Sequence, residues 1–325
     1  MVGLTSYLRA GAGRSAERRS RSDGGLADGE LKGKTLGIFG LGRLGSSVSI
    51  NMKFFAGLWT LRGYPSVKEE WTLEQKFAEV KRQGFEGIGG RFVPEAPALC
   101  RKYDLEYLLT IDADARDYPE RLRQATAWNA RRINVQLCDH DTPPQEAART
   151  WIDMVALAEE LGLEIDLELH RNTATETPEK AYEIADRFTH AMGRTIRFCL
   201  DYSHFAVTKH LTAPFAPRLL DRPGLLGPVR MLHARPFNGH HAQIPATDGR
   251  GGPSRELGAW LEFVGVLWAE LGRAVPAGST LYVCPENGPR LEGLYGLECF
   301  PDVWCDAIYT RDRIRELWSR RSHAG

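Results

Sequence analysis

Four short segments in the second half of the chain each place an acid or an imidazole where an apolar, strand-like run ends. They are Leu167-Glu168-Leu169-His170, Leu200-Asp201-Tyr202-Ser203-His204, Leu232-His233-Ala234-Arg235 and Cys284-Pro285-Glu286-Asn287. Ionisable groups at the ends of buried strands need partners, and the architecture that brings successive parallel strand ends to one point is a β/α barrel. Carboxylates gathered with an imidazole suit a borderline or hard divalent ion.

The alternation of the whole chain agrees. Strand-like apolar runs are expected at Phe54 to Leu61, Gly84 to Gly90, Leu105 to Ala113, Ile133 to Leu137, Leu163 to His170, Ile196 to Asp201, Val229 to Ala234 and Thr280 to Pro285. Between them lie helical spacings such as Leu73-Phe77-Val80 and Trp151-Met154-Val155-Ala158-Leu161, and a last helix is expected from Asp302 to Arg320. Gly84 and Gly162 stand where helix C-caps precede the next strand. Eight such units, with strands apolar on both faces, predict a closed (β/α)8 barrel over residues 52–321, because an open sheet would leave apolar faces uncovered. Residues 1–30, rich in Gly, Ser, Arg and Asp, read as a disordered extension. The arginine-rich stretch 9–21 belongs to it rather than to a targeting helix, since no apolar face accompanies the arginines.

Composition narrows the partner. Lys plus Arg equals Asp plus Glu at 42 each, so no net field favours nucleic acid or an anionic membrane, and a small-molecule substrate is expected. No apolar run reaches the ~20 residues of a membrane span. Cys100, Cys138, Cys199, Cys284, Cys299 and Cys305 are scattered without a C-x-x-C pair, as for reduced thiols in a cytoplasmic chain. Homo-oligomerisation stays open.

Gly40-Leu41-Gly42-Arg43-Leu44-Gly45 follows an expected strand, Lys34 to Phe39, and opens a helix, so residues 31–51 form a βα fragment with a dinucleotide fingerprint. Leu31 to Gly45 resembles the start of the cofactor domain of D-2-hydroxyacid dehydrogenases. Such a site also needs a second strand ending in an acid for the ribose, and here the next strand is followed by Arg62. One βα piece makes no crevice, so the motif is expected to be non-functional and no residue is assigned to nucleotide binding.

The segments Leu167 to Arg171, Asp201 to Phe205, Leu232 to Arg235 and Pro285 to Pro289 occur in the order and spacing of the xylose-isomerase-like barrel superfamily. Their E-x-H-R, D-x-S-H, H-A-R and P-E-x-G-P patterns most resemble its sugar phosphate isomerase/epimerase members. The resemblance spans about residues 52–320 and is stronger in the last four strands. It implies a divalent metal held by Glu168, Asp201, His233 and Glu286, with His204 beside the metal or the substrate. Trinuclear-zinc endonucleases of the same superfamily need further histidines on strands 2 and 3. Here those strand ends read Gly89-Gly90-Arg91 and Asp112-Ala113-Asp114, with no histidine before His140, which argues against nuclease activity.

Three carboxylates and an imidazole suit Mn²⁺, Mg²⁺, Co²⁺ or Zn²⁺, and a metal clamping a carbonyl and its neighbouring hydroxyl stabilises an ene-diolate. Glu168 and Glu286 would then exchange the proton as base and acid. Arg235, two residues past His233, points to the same side and is expected to fork onto the substrate, with His170 and Arg171 as further contacts. Asp112, Gln136 and Asp139 are candidates to line the pocket, Trp59 to form an aromatic wall, and the glycine-rich loop Pro236 to Pro253, with Asn238, His240, His241 and Gln243, to act as a lid. Singly, each has a plainer reading: Glu168 as an ion-pair partner of Arg171, Trp59 as core. An isomerase or epimerase on a sugar-like or keto-polyol substrate is the first expectation, a lyase or dehydratase the alternative, and a non-catalytic binding barrel the third.

Overall fold

Eight strands, each followed by at least one helix, close into a single parallel sheet in sequence order, β1-β2-β3-β4-β5-β6-β7-β8, with β8 pairing back onto β1. The fold is therefore a (β/α)8 barrel. The computed structural model describes residues 50–322 except 131, 290, 292–294 and 298. The Lys34 to Phe39 strand and the Gly40, Gly42 and Gly45 fingerprint lie outside the described residues.

The strands are β1 Asn51–Gly57, β2 Gly87–Gly90, β3 Glu106–Ala113, β4 Arg132–Leu137, β5 Glu164–Glu168, β6 Phe198–Leu200, β7 Met231–His233 and β8 Thr280–Cys284. The helices are α1 Leu73–Arg82, α2 Ala96–Tyr103, α3 Tyr118–Ala127, α4 Pro144–Glu160, α5 Pro178–Met192, α6 Tyr202–Thr208, α7 Ala216–Leu219, α8 Leu257–Ala274 and α9 Val303–Ser322. Among the described residues, no helix is long and apolar enough to cross a membrane.

Local signals set many of these limits. Gly84 and Gly162 take φ of 74° and 70°, and the bond from Leu163 N–H to Ala158 C=O (2.8 Å) closes α4 beyond its C-cap. Asp302 Oδ1 accepts from the N–H groups of Trp304 and Cys305, both at 2.9 Å, and so starts α9. β1 departs from expectation. It begins at Asn51, not Phe54, because Asn51 N–H bonds Ser279 C=O (2.9 Å) and the ladder with β8 runs from Asn51 to Phe54; it ends at Gly57 rather than Leu61. That limit depends on a strand more than 220 residues away, which no local pattern reports.

Side-chain alternation sorts the barrel interior into layers. Phe55, Leu108, Cys199 and Met231, with Tyr282 against them, form a small apolar cluster apart from the main core, which lies between the sheet and the helices. Gly87 faces Phe55: a Cβ there would sit 2.0 Å from the ring, so only glycine admits this plug. Stepping two residues back along the strands reaches ionic groups. Asp166, fully buried, lies 2.9 Å from Arg132 Nη1 and 3.0 Å from Arg197 Nε, and Glu164 pairs with both arginines. Stepping two residues forward reaches Asp201 from Cys199 and His233 from Met231. On β6 the plug residue Cys199 thus stands between Arg197 of the ionic floor and Asp201 of the rim, whereas on β5 Asp166 and Glu168 follow one another directly on the inner face.

Candidate metal centre

Glu168 ends β5, Asp201 follows β6, His233 ends β7 and Glu286 follows β8. One oxygen or nitrogen from each lies within 4.8 Å of those of the others, a set that can hold a metal ion. Glu168 and Asp201 are fully buried, whereas the Glu286 side chain is 19% exposed and closes the open side.

Each member is held in place separately. Glu168 Oε2 accepts from Asn134 Nδ2 at 2.7 Å across β4 and β5, and its backbone carbonyl accepts from Thr175 Oγ1. Asp201 caps α6: its Oδ1 accepts from Ser203 N–H (3.0 Å) and from the Ser203 hydroxyl. Asp201 Oδ2 accepts from Arg235 Nη2 at 2.6 Å, and Arg235 Nε donates to Ser203 Oγ at 3.0 Å. His233 Nδ1 stands 2.8 Å from Glu168 Oε1 and 3.3 Å from Glu286 Oε2.

The donor set fits a divalent ion on one observation in particular. Glu168 Oε1 and His233 Nδ1 face each other at 2.8 Å, both buried, and beyond their mutual ion pairing neither makes a hydrogen bond to another group. Without an ion a proton on the imidazole must serve this buried pair, and a divalent cation can take the place of that proton for both atoms. Burial would raise the Glu168 carboxyl, but His233 and His170 overcome it and hold the group ionised. Burial likewise opposes a charged His233, yet Cys199, Glu286 and Glu168 raise the imidazole well above its ordinary value; since the Cys199 thiol is itself pushed up to about 12 and neutral, the two carboxylates are the physical cause.

His204 lies 1% exposed behind Asp201. Burial lowers it to about 4, so it is neutral, and Arg235 Nη2 at 2.9 Å from His204 Nε2 identifies that nitrogen as the acceptor. His170 stacks edge-on against it, ring centroids 4.3 Å apart, and hydrogen-bonds Arg171 C=O through Nδ1. Arg171 does not pair with Glu168; its guanidinium lies over the Tyr295 ring at 4.5 Å. Arg235 lies over the same ring at 5.1 Å, and Trp59 meets it edge-on at 4.8 Å.

Several expectations are revised. Arg235 turns its fork onto Asp201, Ser203 and His204, because a buried guanidinium needs those acceptors, and leaves only Nη1 without a partner, 3.8 Å from Glu286 Oε2. Asp112 and Gln136 are tied to each other's neighbour Arg91. Asp139 instead caps a turn, accepting from Asp141 N–H, Thr142 N–H and Thr142 Oγ1. The Pro236 to Pro253 loop is anchored: the Gln243 amide bonds both N–H and C=O of Gly288, and Phe237 and Ile244 are buried. The sequence assigns no role to Asn134, Ser203 or Tyr295; Ser203 shows there as the serine of the D-x-S-H pattern, and Asn134 as an amide inside the apolar run Ile133 to Leu137.

No protein-family model and no curated protein matches the chain. Solved structures do. L-ribulose 3-epimerase superposes with a TM-score of 0.56 at 13% identity, covering 84% of this chain and 97% of that one. D-allulose 3-epimerase from Methylomonas sp. gives 0.51 at 15%, covering 84% and 98%. A xylose isomerase-like TIM barrel protein from Mycobacterium smegmatis in complex with magnesium gives 0.51 at 13%, covering 82% and 97%. At these identities the likeness is one of fold: the neighbours are xylose-isomerase-like barrels and sugar epimerases.

Proposed function

We propose that the chain is a divalent-metal-dependent isomerase or epimerase that moves a proton beside the carbonyl of a sugar-like or keto-polyol substrate. The observation that carries this reading is the convergence of Glu168, Asp201, His233 and Glu286 from four consecutive strand ends, with Glu168 Oε1 and His233 Nδ1 buried and served by no group outside the cluster. Sugar epimerases among the fold neighbours support it at the level of architecture.

Glu168, Asp201, His233 and Glu286 would hold the ion, which when bound polarises a carbonyl and acidifies the adjacent C–H. Glu168 and Glu286, gathered on one imidazole nitrogen, are the two carboxylates able to accept and return the proton. Asn134 fixes the unused oxygen of Glu168, so the other is aimed without rotamer search. Arg235 and Ser203 neutralise and orient Asp201, and Arg235 Nη1 remains as a donor toward a substrate oxygen beside Glu286. His204, neutral and buried, and His170 form the adjoining wall, with Arg171 at the exposed rim.

Turnover in D₂O with a panel of ketoses and keto acids tests the reading. An isomerase or epimerase incorporates one deuterium at the carbon next to the carbonyl; a product lighter by water points to the dehydratase alternative, and no conversion with fully loaded metal points to a binding barrel.

A further inference from the structure

Arg171 is exposed, and among the described residues no carboxylate pairs with it. Its guanidinium is nevertheless positioned, lying over the ring of Tyr295, the same ring that carries the buried guanidinium of Arg235. Trp59 meets that ring edge-on and also lies beneath Arg235, at 5.9 Å. The two arginines are therefore joined by one aromatic wall. At its inner end Arg235 Nη1 is buried without a partner, beside Glu286. At its outer end stands a cation with no counter-ion among the described residues.

Charge sharpens the point. The three carboxylates Glu168, Asp201 and Glu286 are balanced by Arg235 together with one divalent ion, so the loaded interior is neutral and the charge of Arg171 is left over at the rim. A guanidinium offers a planar fork of donors and a single positive charge, which matches a carboxylate in both geometry and charge. The aromatic faces between the two arginines suit the apolar C–H faces of a carbon chain.

We propose that the substrate is a keto-polyol with a terminal carboxylate: the carbonyl end lies at Glu286 and Arg235, the chain lies along Trp59 and Tyr295, and Arg171 holds the carboxylate. This rests on the metal-dependent isomerase reading. It adds a specificity-determining residue and a substrate class to it.

The test uses the full chain loaded with Mn²⁺ and titrates D-fructose, D-fructuronate and D-fructose 6-phosphate, which differ only at carbon 6, by calorimetry. D-Fructuronate is expected to bind at least tenfold more tightly than D-fructose. Arg171→Ala and Arg171→Gln should bring the two within about threefold while metal content stays at the wild-type level, and Arg171→Lys should keep part of the preference. A wild-type preference below threefold, tighter binding of the phosphate than of the carboxylate, or a preference that survives Arg171→Ala each overturns the assignment. A wild-type protein that retains no Mn²⁺ overturns the isomerase reading itself, whereas retained metal without the preference overturns only the carboxylate.

Discussion

Arg235 Nη2 lies 2.6 Å from Asp201 Oδ2, with both side chains 1% exposed. A residue two positions beyond one member of the cluster thus closes onto another member, across 34 residues of sequence. A buried carboxylate with this partner is ionised at any working pH: burial would raise it, and the Arg235 guanidinium holds it well below the usual range. The pair also leaves Asp201 less negative toward the ion than Glu168 or Glu286.

Glu286→Gln keeps the shape of the rim carboxylate and removes its charge. Metal content measured by elemental analysis should fall sharply and turnover should be abolished, with the fold intact by circular dichroism. Equal metal in the wild type and in a variant carrying alanine at Glu168, Asp201, His233 and Glu286 would place the ion elsewhere.

Asn134→Leu removes the only donor to Glu168 Oε2 among the described residues, an atom of a fully buried residue. The metal-free protein should lose about 1–3 kcal/mol in urea unfolding, and the metal dissociation constant should rise about 10–100-fold. Unchanged metal affinity would mean that Glu168 is aimed by packing alone.

His233 governs the pH dependence. Its imidazole is raised well above 6.5 in the metal-free protein, whereas an ion requires the neutral ring. The metal must displace a proton, so affinity should climb with pH up to the raised value, by about tenfold per unit if one proton is released. The imidazolium stabilises the metal-free protein fully below about 6.5, and that contribution is lost as pH rises through the folded-state value. Calorimetry in buffers of different ionisation enthalpy should count close to one proton per ion at neutral pH; a count of zero would contradict the assignment.

The floor of the barrel should behave in the opposite way. Asp166→Ala leaves Arg132 and Arg197 with Glu164 as their remaining carboxylate and should cost about 1–3 kcal/mol, while the folded protein binds metal as before. A loss of metal at wild-type stability would show that Asp166 is coupled to Glu168, its inward neighbour on β5.

Residues 1–46 should be dispensable. A chain starting at Ser47 is expected to keep its metal content and a thermal midpoint within about 2 °C of the full chain. A start at residue 52 is expected to do worse, because it deletes Asn51, whose N–H bonds Ser279 C=O. Saturable NAD binding by the full chain, lost on truncation, would restore the Gly40-Gly42-Gly45 fingerprint to a working role.

By itself the sequence determined the eight-fold alternation, the glycine caps after α1 and α4, and the presence of an acid or imidazole at the end of each of the last four strands. Those features are local: hydrophobic period, cap chemistry and a polar residue breaking an apolar run are written within a few residues of one another. Tertiary structure decided where β1 begins, that Arg235 serves Asp201, that Asn134 aims Glu168, and that Tyr295 carries both Arg171 and Arg235. Each of these is a contact between different strands or loops, made only when the barrel closes. Residues that no short spacing links are brought within hydrogen-bonding reach at that moment, and the low dielectric inside then selects which charges pair.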